Sequence, residues 1–109
     1  MHKLFTCLAA ATLLQATPAL AADAANGRKL AEQNCARCHA IDKGAGFKLY
    51  PPSFQSIAIY RAYEDIWSRI VAPSPHRGMP DLSWALSPDN VQDLLAYIVS
   101  LDTPVSIPK

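Results

Sequence analysis

The sequence predicts an all-α protein, and three observations carry this prediction. Apolar residues recur at three- and four-residue steps over residues 24–38, 63–72 and 88–101, which is the period of a helix with one buried face. No stretch alternates apolar and polar residues for long enough to predict a sheet. The loops between the helical stretches contain proline and glycine, which end helices.

The first 21 residues have the pattern of a secretion signal. A short polar or positive start at His2 and Lys3 precedes the apolar run from Leu4 to Leu14, and the sequence P-A-L-A at residues 18–21 offers a cleavage site of the A-x-A type. That run is shorter than the roughly 20 residues that a membrane-spanning helix needs. We therefore predict cleavage after Ala21 and export to the periplasm. An uncleaved membrane anchor is the less favoured alternative.

Residues 22–109 are predicted to form a single domain, because this length is too short for two. The whole chain has 10 Lys and Arg against 9 Asp and Glu. Without Lys3 the remainder is formally neutral, so its charge does not indicate nucleic acid or an anionic membrane surface as a partner. Domains of this size often depend on a cofactor or a covalent staple to complete their core.

The first predicted helix runs from residue 24 to residue 38 and delivers two cysteines at its carboxyl end, with Asp23 or Asn26 as its cap. Gly27 lies inside the periodic pattern, where glycine costs about 1 kcal/mol relative to alanine. Either this glycine permits a close crossing with another helix or it marks a late helix start. We favour the crossing, because a second well-defined helical pattern lies at the other end of the chain.

Cys35, Cys38 and His39 form a C-x-x-C-H pattern, which is typical of covalent c-type haem attachment. The two thiols can each add across a haem vinyl group, and the adjacent imidazole then lies under the iron as an axial ligand. Thioredoxin-type redox pairs and zinc half-sites share the C-x-x-C spacing but not the following histidine. Cys7 lies in the predicted signal, so the mature chain keeps this pair alone. We predict one haem c bound through Cys35 and Cys38.

A loop over residues 40–52 follows the motif and ends in two prolines, Pro51 and Pro52. Proline cannot continue a helix and has no N–H to donate. An axial histidine needs an acceptor for its second ring nitrogen, which fixes the tautomer and the ring plane. The carbonyl of Pro51 or Pro52 is our candidate acceptor for His39. The alternative is that the two prolines only form a rigid turn.

The middle of the chain predicts a short helix or turn over residues 54–59 and a clearer helix over residues 63–72, which Pro73 ends. Tyr60 and Trp67 are candidates to line a haem pocket or to donate to a haem propionate. A tryptophan at helical spacing is more often plain core, and we favour that interpretation.

Met79 is the only methionine that remains once the signal, with Met1, is removed. It lies in a Gly-Met-Pro loop rather than on an apolar helical face, where methionine usually fills core space. A thioether suits the sixth position of haem iron, and a histidine with a methionine raises the reduction potential. We predict His39 and Met79 as the axial ligands. His76 is the competing ligand, although a loop histidine beside Arg77 is more often solvated.

The last helix begins at the sequence S-P-D, residues 87–89, which supplies a capping serine, a proline in the first turn and a carboxylate at the positive end of the helix dipole. Its predicted buried stripe, with Tyr97 beside it, consists of Val91, Leu94, Leu95, Ile98 and Leu101.

Together these motifs resemble the class I cytochrome c family, specifically its small single-haem bacterial members. The resemblance is carried by the Gly27 helix, residues 35–39, the P-S-F turn at 52–54, the G-M-P loop at 78–80 and residues 93–98. It implies a small cytochrome c fold of about four helices packed around one covalently attached haem. The first and last helices are expected to cross.

The resemblance also implies particular roles and shows two departures. The crossing is expected near Gly27 and Tyr97, and Pro52 is expected to offer its carbonyl to the haem-binding histidine. Ala31 stands where the family often has an aromatic residue, one turn after the glycine. Pro51 stands where the family usually has a glycine before the proline.

The predicted function is one-electron transfer and not catalysis. The expected partners are redox proteins that meet the exposed haem edge of a monomer through small, short-lived interfaces of under about 1,200 Å². We expect no stable membrane insertion after signal cleavage. One alternative is a dedicated haem subunit of a periplasmic dehydrogenase or oxidase complex, for which Trp84 is a candidate exposed contact, although we favour its burial against the haem. Another is a haem sensor or peroxidase-like enzyme with an open sixth site, against which Met79 speaks.

Overall fold

The computed structural model describes residues 21–45, 50–73 and 78–103. Within these ranges the chain forms four helices and no strand: α1 (Ala24–Asn34), α2 (Phe54–Tyr60), α3 (Tyr63–Val71) and α4 (Pro88–Ser100). The prediction of an all-α protein with about four helices is therefore confirmed. α1 and α4 form the main helix pair, and α2 and α3 both pack against α4.

The first helix begins where the sequence predicted and ends earlier. The Asp23 side chain caps it by accepting hydrogen bonds from the backbone N–H groups of Ala25 and Asn26. The prediction that α1 extends to residue 38 is wrong. The helix ends at Asn34, because the backbone of Cys35 leaves the helical region with φ −121° and the Asn34 side-chain amide donates to the Leu30 carbonyl.

Gly27 lies where α1 crosses α4. A Cβ atom at this position would overlap the backbone carbonyl of Asp93 and come within 2.9 Å of Tyr97 Cβ. The two helix backbones can approach this closely because glycine has no side chain. The structure thus confirms the predicted crossing and explains why a residue that weakens helices stands inside α1.

We expect Gly27→Ala to destabilise the fold. Alanine gains about 1 kcal/mol in helix propensity, but the overlap with α4 costs about 3 kcal/mol, as overpacking of a tight contact does. A denaturant titration followed by far-ultraviolet circular dichroism measures the difference in the free energy of unfolding. Lys29→Ala, an exposed position on the same helix, serves as the control and is expected to change stability by less than about 0.5 kcal/mol. Equal stability of the two variants would contradict the close crossing.

The Asp93 carboxylate joins α4 to the start of α1. One oxygen accepts a hydrogen bond from the Asp23 backbone N–H at 2.6 Å, and the other accepts from the Asn26 side-chain amide at 2.8 Å. The hydrogen bond from Asn26, together with that from the Asp23 N–H, lowers the pKa of Asp93 from its ordinary value of 3.8. Both bonds favour the ionised form, so they strengthen the link between the helices at neutral pH.

Protonation of Asp93 is therefore expected to weaken the fold in acid. Because the folded-state pKa lies below the unfolded one, this group stabilises the fold above pH 3.8 and loses that contribution as pH falls through the lower folded value. Asp93→Asn should be less stable than the natural protein at neutral pH. The difference in stability between the two proteins should become smaller below about pH 4. Thermal unfolding from pH 7 to pH 2 tests this. A difference in stability that stays constant from pH 7 to pH 2 would contradict the expected titration of Asp93.

The last helix follows the prediction closely. The Ser87 side chain accepts a hydrogen bond from the Asn90 backbone N–H at 3.2 Å, and Pro88 occupies the first turn. α3 ends at Val71, one residue before the predicted end. Of the five predicted stripe residues, four lie in α4 and Leu101 lies directly after it, and all five are buried, together with Tyr97. No helix among the described residues is long and apolar enough to cross a membrane.

The core lies between α4 and the other three helices. Its apolar members are Ala31, Cys35, Ile41, Phe54, Ala58, Ile66, Ile70, Leu86, Val91, Leu94, Leu95, Tyr97, Ile98 and Leu101. Cys35 and Phe54 belong to this cluster, so the residues around the C-x-x-C-H motif are part of the same packed unit as the helix pair.

Candidate functional site

The two cysteines of the motif lie in a turn directly after α1. The backbone N–H groups of Cys38 and His39 both donate to the Cys35 carbonyl, at 3.0 and 2.8 Å. This turn leaves the Cys35 side chain buried and the Cys38 side chain exposed, and both thiols are free. Burial raises the pKa of the Cys35 thiol from 9.0 to about 11. The two sulfur atoms thus lie on one short turn, one inside the core and one at the surface.

The His39 imidazole is held by a backbone carbonyl across the loop. Its Nδ1 lies 2.7 Å from the carbonyl oxygen of Pro52. A carbonyl oxygen only accepts, so this contact requires the proton on Nδ1 and leaves the lone pair on Nε2 free to bind a metal ion. The structure therefore brings together His39 and Pro52, and it places the Pro52 carbonyl, not that of Pro51, as the partner.

A second hydrogen bond holds the two ends of this loop together. The Phe54 backbone N–H donates to the Ala40 carbonyl at 2.9 Å. α2 begins at this point because Ser53, which is fully buried, caps it by accepting from the Ser56 N–H at 3.2 Å. This hydrogen bond thus holds the residue after His39 against the start of α2, next to the contact between His39 and Pro52.

Aromatic contacts extend from His39 into the helix pair. The ring centroids of His39 and Phe54 are 5.5 Å apart, and those of Phe54 and Tyr97 are 6.5 Å apart. The Tyr97 hydroxyl donates to the Ile41 carbonyl at 2.9 Å, and burial raises the pKa of this phenol above its usual value of 10.0. The contact of Phe54 with His39 was not predicted. The apolar residue two positions after Pro52 was the available signal, but it indicated only core packing.

Met79 lies in the third described range, directly after a turn at Gly78. Gly78 has φ +85°, a left-handed conformation that residues with a side chain rarely adopt. The Met79 side chain is half-buried. The competing ligand of the sequence prediction, His76, lies outside the described residues.

The other aromatic residues considered in the sequence analysis are more exposed than the core residues. The prediction that Trp67 is a core residue is wrong, because this residue is 43% exposed. Tyr60 and Trp84 are 71% and 83% exposed. Trp67 lines a groove of about 420 Å³ between α3 and α4, with Val71, Leu86 and Val91 among its other walls. None of the predicted ligand residues lines this groove, so it is separate from the turn that holds the motif.

The donor set suits a covalently attached haem. Cys35 and Cys38 offer free thiols, and His39 offers an imidazole with its Nε2 lone pair available. Among the described residues no group of three or more His, Cys, Asp or Glu side chains is placed to hold a metal ion. A zinc half-site at Cys35 and Cys38 therefore finds no second half there, since structural zinc needs four ligands.

The fold and the site together define a small α-helical protein whose C-x-x-C-H motif lies in a turn directly after its first helix. A protein-family model described as "Cytochrome C oxidase, cbb3-type, subunit III" matches residues 22–98. The chain belongs to the cytochrome c family, as a small single-haem class I c-type cytochrome. This family is that of haem-carrying electron-transfer proteins, in agreement with the prediction from the sequence.

Two curated relatives support this assignment. Cytochrome c-552 of Bradyrhizobium diazoefficiens is 36% identical over 102 residues, which cover 93% of this chain and 96% of the relative. Cytochrome c6 of Nostoc sp. is 32% identical over 106 residues, which cover 91% of this chain and 93% of the relative. No solved structure is significantly similar to the chain.

Proposed function

We propose that this chain carries one haem c and transfers single electrons between redox proteins in the periplasm. When bound, the haem supplies a one-electron couple. Cys35 and Cys38 attach it by adding their thiols to its vinyl groups, and His39 and Met79 act as the axial ligands of its iron. Residues 1–21 serve as the cleaved export signal, and residues 22–109 form the single mature domain.

One contact carries this proposal, namely that between His39 Nδ1 and the Pro52 carbonyl at 2.7 Å. It orients the imidazole and leaves Nε2 as the only ring atom available to the iron. A histidine that is held in this way keeps one orientation, as a permanent axial ligand must. The half-buried thioether of Met79 supplies a second soft, neutral ligand, which favours the reduced state and raises the potential.

The electron-carrier role follows from the expected coordination. With both axial positions filled by protein side chains, no substrate needs to bind the iron, so the residues of the chain need only hold the group and tune its potential. The partner meets the carrier at the surface. A neutral mature chain lacks strong overall electrostatic steering, so recognition depends on local patches.

A redox titration combined with carbon monoxide tests this function. We expect the purified protein to titrate as a one-electron couple, and we expect its reduced visible spectrum to stay unchanged when carbon monoxide is added. A rapid spectral change with carbon monoxide would show an open or displaceable sixth site. That result would favour the sensor or peroxidase-like alternative.

The second candidate function is that of a dedicated haem subunit in a larger redox enzyme. The family description, which names an oxidase subunit, favours keeping this candidate. Trp84, which is 83% exposed, offers an apolar contact that a stable assembly would cover. Gel filtration of a gentle periplasmic extract separates the two. A carrier elutes at the mass of the small chain, whereas a subunit elutes with its enzyme.

A further inference from the structure

The Phe54 ring lies between the haem-binding histidine and the helix pair. Its centroid is 5.5 Å from that of His39 at an interplanar angle of 52°, and 6.5 Å from that of Tyr97 at 56°. Both distances fall within the roughly 4.5–7 Å over which tilted aromatic pairs attract each other. Phe54 is 4% exposed, so the ring is confined on its remaining sides by the core.

Phe54 cannot easily shift, because its backbone is held on both sides. Its N–H donates to the Ala40 carbonyl, one residue after His39. Ser53 caps α2 immediately before it. Beyond the ring, Tyr97 is anchored by its hydrogen bond to the Ile41 carbonyl. The Phe54 backbone N–H and the Tyr97 hydroxyl are thus both hydrogen-bonded to residues 40–41, which directly follow His39 in the chain.

The hydrogen bond to Pro52 fixes the tautomer of His39 and, together with the covalent bond at Cβ, the approximate plane of the ring. Hydrogen bonds tolerate a broad range of angles, so this contact alone leaves the ring some rotation about that plane. A second contact on the ring narrows that rotation. Phe54 supplies one, since its ring is the aromatic neighbour of the imidazole in the described structure.

We propose that Phe54 is a positioning residue for His39, whose ring narrows the rotation of the imidazole and so the orientation in which Nε2 meets the iron. This inference rests on the proposed role of His39 as an axial ligand. The hydrogen bond from Nδ1 to Pro52 sets the approximate plane of the ligand, and the contact with Phe54 narrows its remaining rotation. Tyr97 supports the Phe54 ring from α4.

Proton NMR of the oxidised holoprotein tests the proposal. The spread of the haem-methyl resonances in a low-spin ferric protein depends on the orientation of the axial ligand planes. Phe54→Leu and Phe54→Met remove the flat ring and keep an apolar side chain of similar size, a kind of change that cores tolerate well. We expect both variants to keep covalent haem and to show a changed spread of the haem-methyl resonances.

Ile98→Val is the matched control, because it trims the same core at a residue that is 2% exposed and leaves the aromatic rings unchanged. It should retain the natural haem-methyl pattern. A natural pattern in both Phe54 variants would overturn the positioning role. That result is distinct from failure of the proposed function, which would show itself in the unsubstituted protein as the absence of covalent haem or of the near-infrared sulfur-to-iron charge-transfer band.

Discussion

Replacing both Cys35 and Cys38 by alanine is expected to produce a chain without covalent haem. The proposed attachment needs a thiol for each vinyl group, and the turn after α1 carries both. The mature chain has no further cysteine if Cys7 leaves with the signal. The change in intact mass and the pyridine haemochrome spectrum measure the loss directly. We also expect the fold to weaken, because so small a domain depends on its cofactor to complete the core.

Cys7→Ala is the matched control for this experiment. It removes a cysteine from the same gene product but lies within the predicted signal, so the exported protein should carry haem as before. The single variants sharpen the test, since each should leave one thioether bond and a haemochrome maximum between those of free and doubly attached haem. A doubly substituted chain that keeps c-type haem would contradict the attachment.

Met79→Ala is expected to leave haem attached and to remove the sulfur ligand. The oxidised protein should lose its near-infrared sulfur-to-iron charge-transfer band. The reduction potential should fall by a measurable part of the roughly 0.8 V over which axial ligands tune haem proteins, since a thioether favours the ferrous state. Absorption spectroscopy and a redox titration report the two changes separately.

Two variants control for the Met79 result. Leu82→Ala changes a partly buried apolar residue that packs against the core a few positions later, and it should keep both the band and the potential. His76→Ala removes the competing ligand and should also keep the band. If Met79→Ala retains the band, or His76→Ala loses it, the sixth ligand has been assigned to the wrong residue.

The parts of the site that could be predicted from the sequence are those whose chemistry is local. Cys35, Cys38 and His39 are neighbours on one turn, so their spacing alone indicated haem. Gly27 could be predicted to mark a helix crossing, because a glycine inside a helical pattern needs a packing reason. The Asp93 carbonyl of α4, which lies against Gly27, is that reason. The capping of α1 by Asp23 and of α4 by Ser87 followed from side chains that bond to nearby N–H groups.

The end of α1 could not be predicted from periodicity. Apolar residues continue at helical spacing through Cys38, yet the helix ends at Asn34. Local hydrogen bonds from the Asn34 side chain and to the Cys35 carbonyl compete with helix continuation. The hydrophobic pattern is the same for a helix and for the turn that replaces it.

The sequence by itself determined the helical class, the haem-attachment motif and the candidate ligands, because each depends on residue types at short spacing. Only the tertiary structure decided which proline carbonyl meets His39 and which ring contacts the imidazole. Pro52 reaches Nδ1 across a loop, and Tyr97 bonds to Ile41 over a separation of 56 residues. Both contacts depend on tertiary packing, namely on how Pro52 comes to lie against His39 and on how α1 and α4 cross. Local sequence patterns do not encode these arrangements.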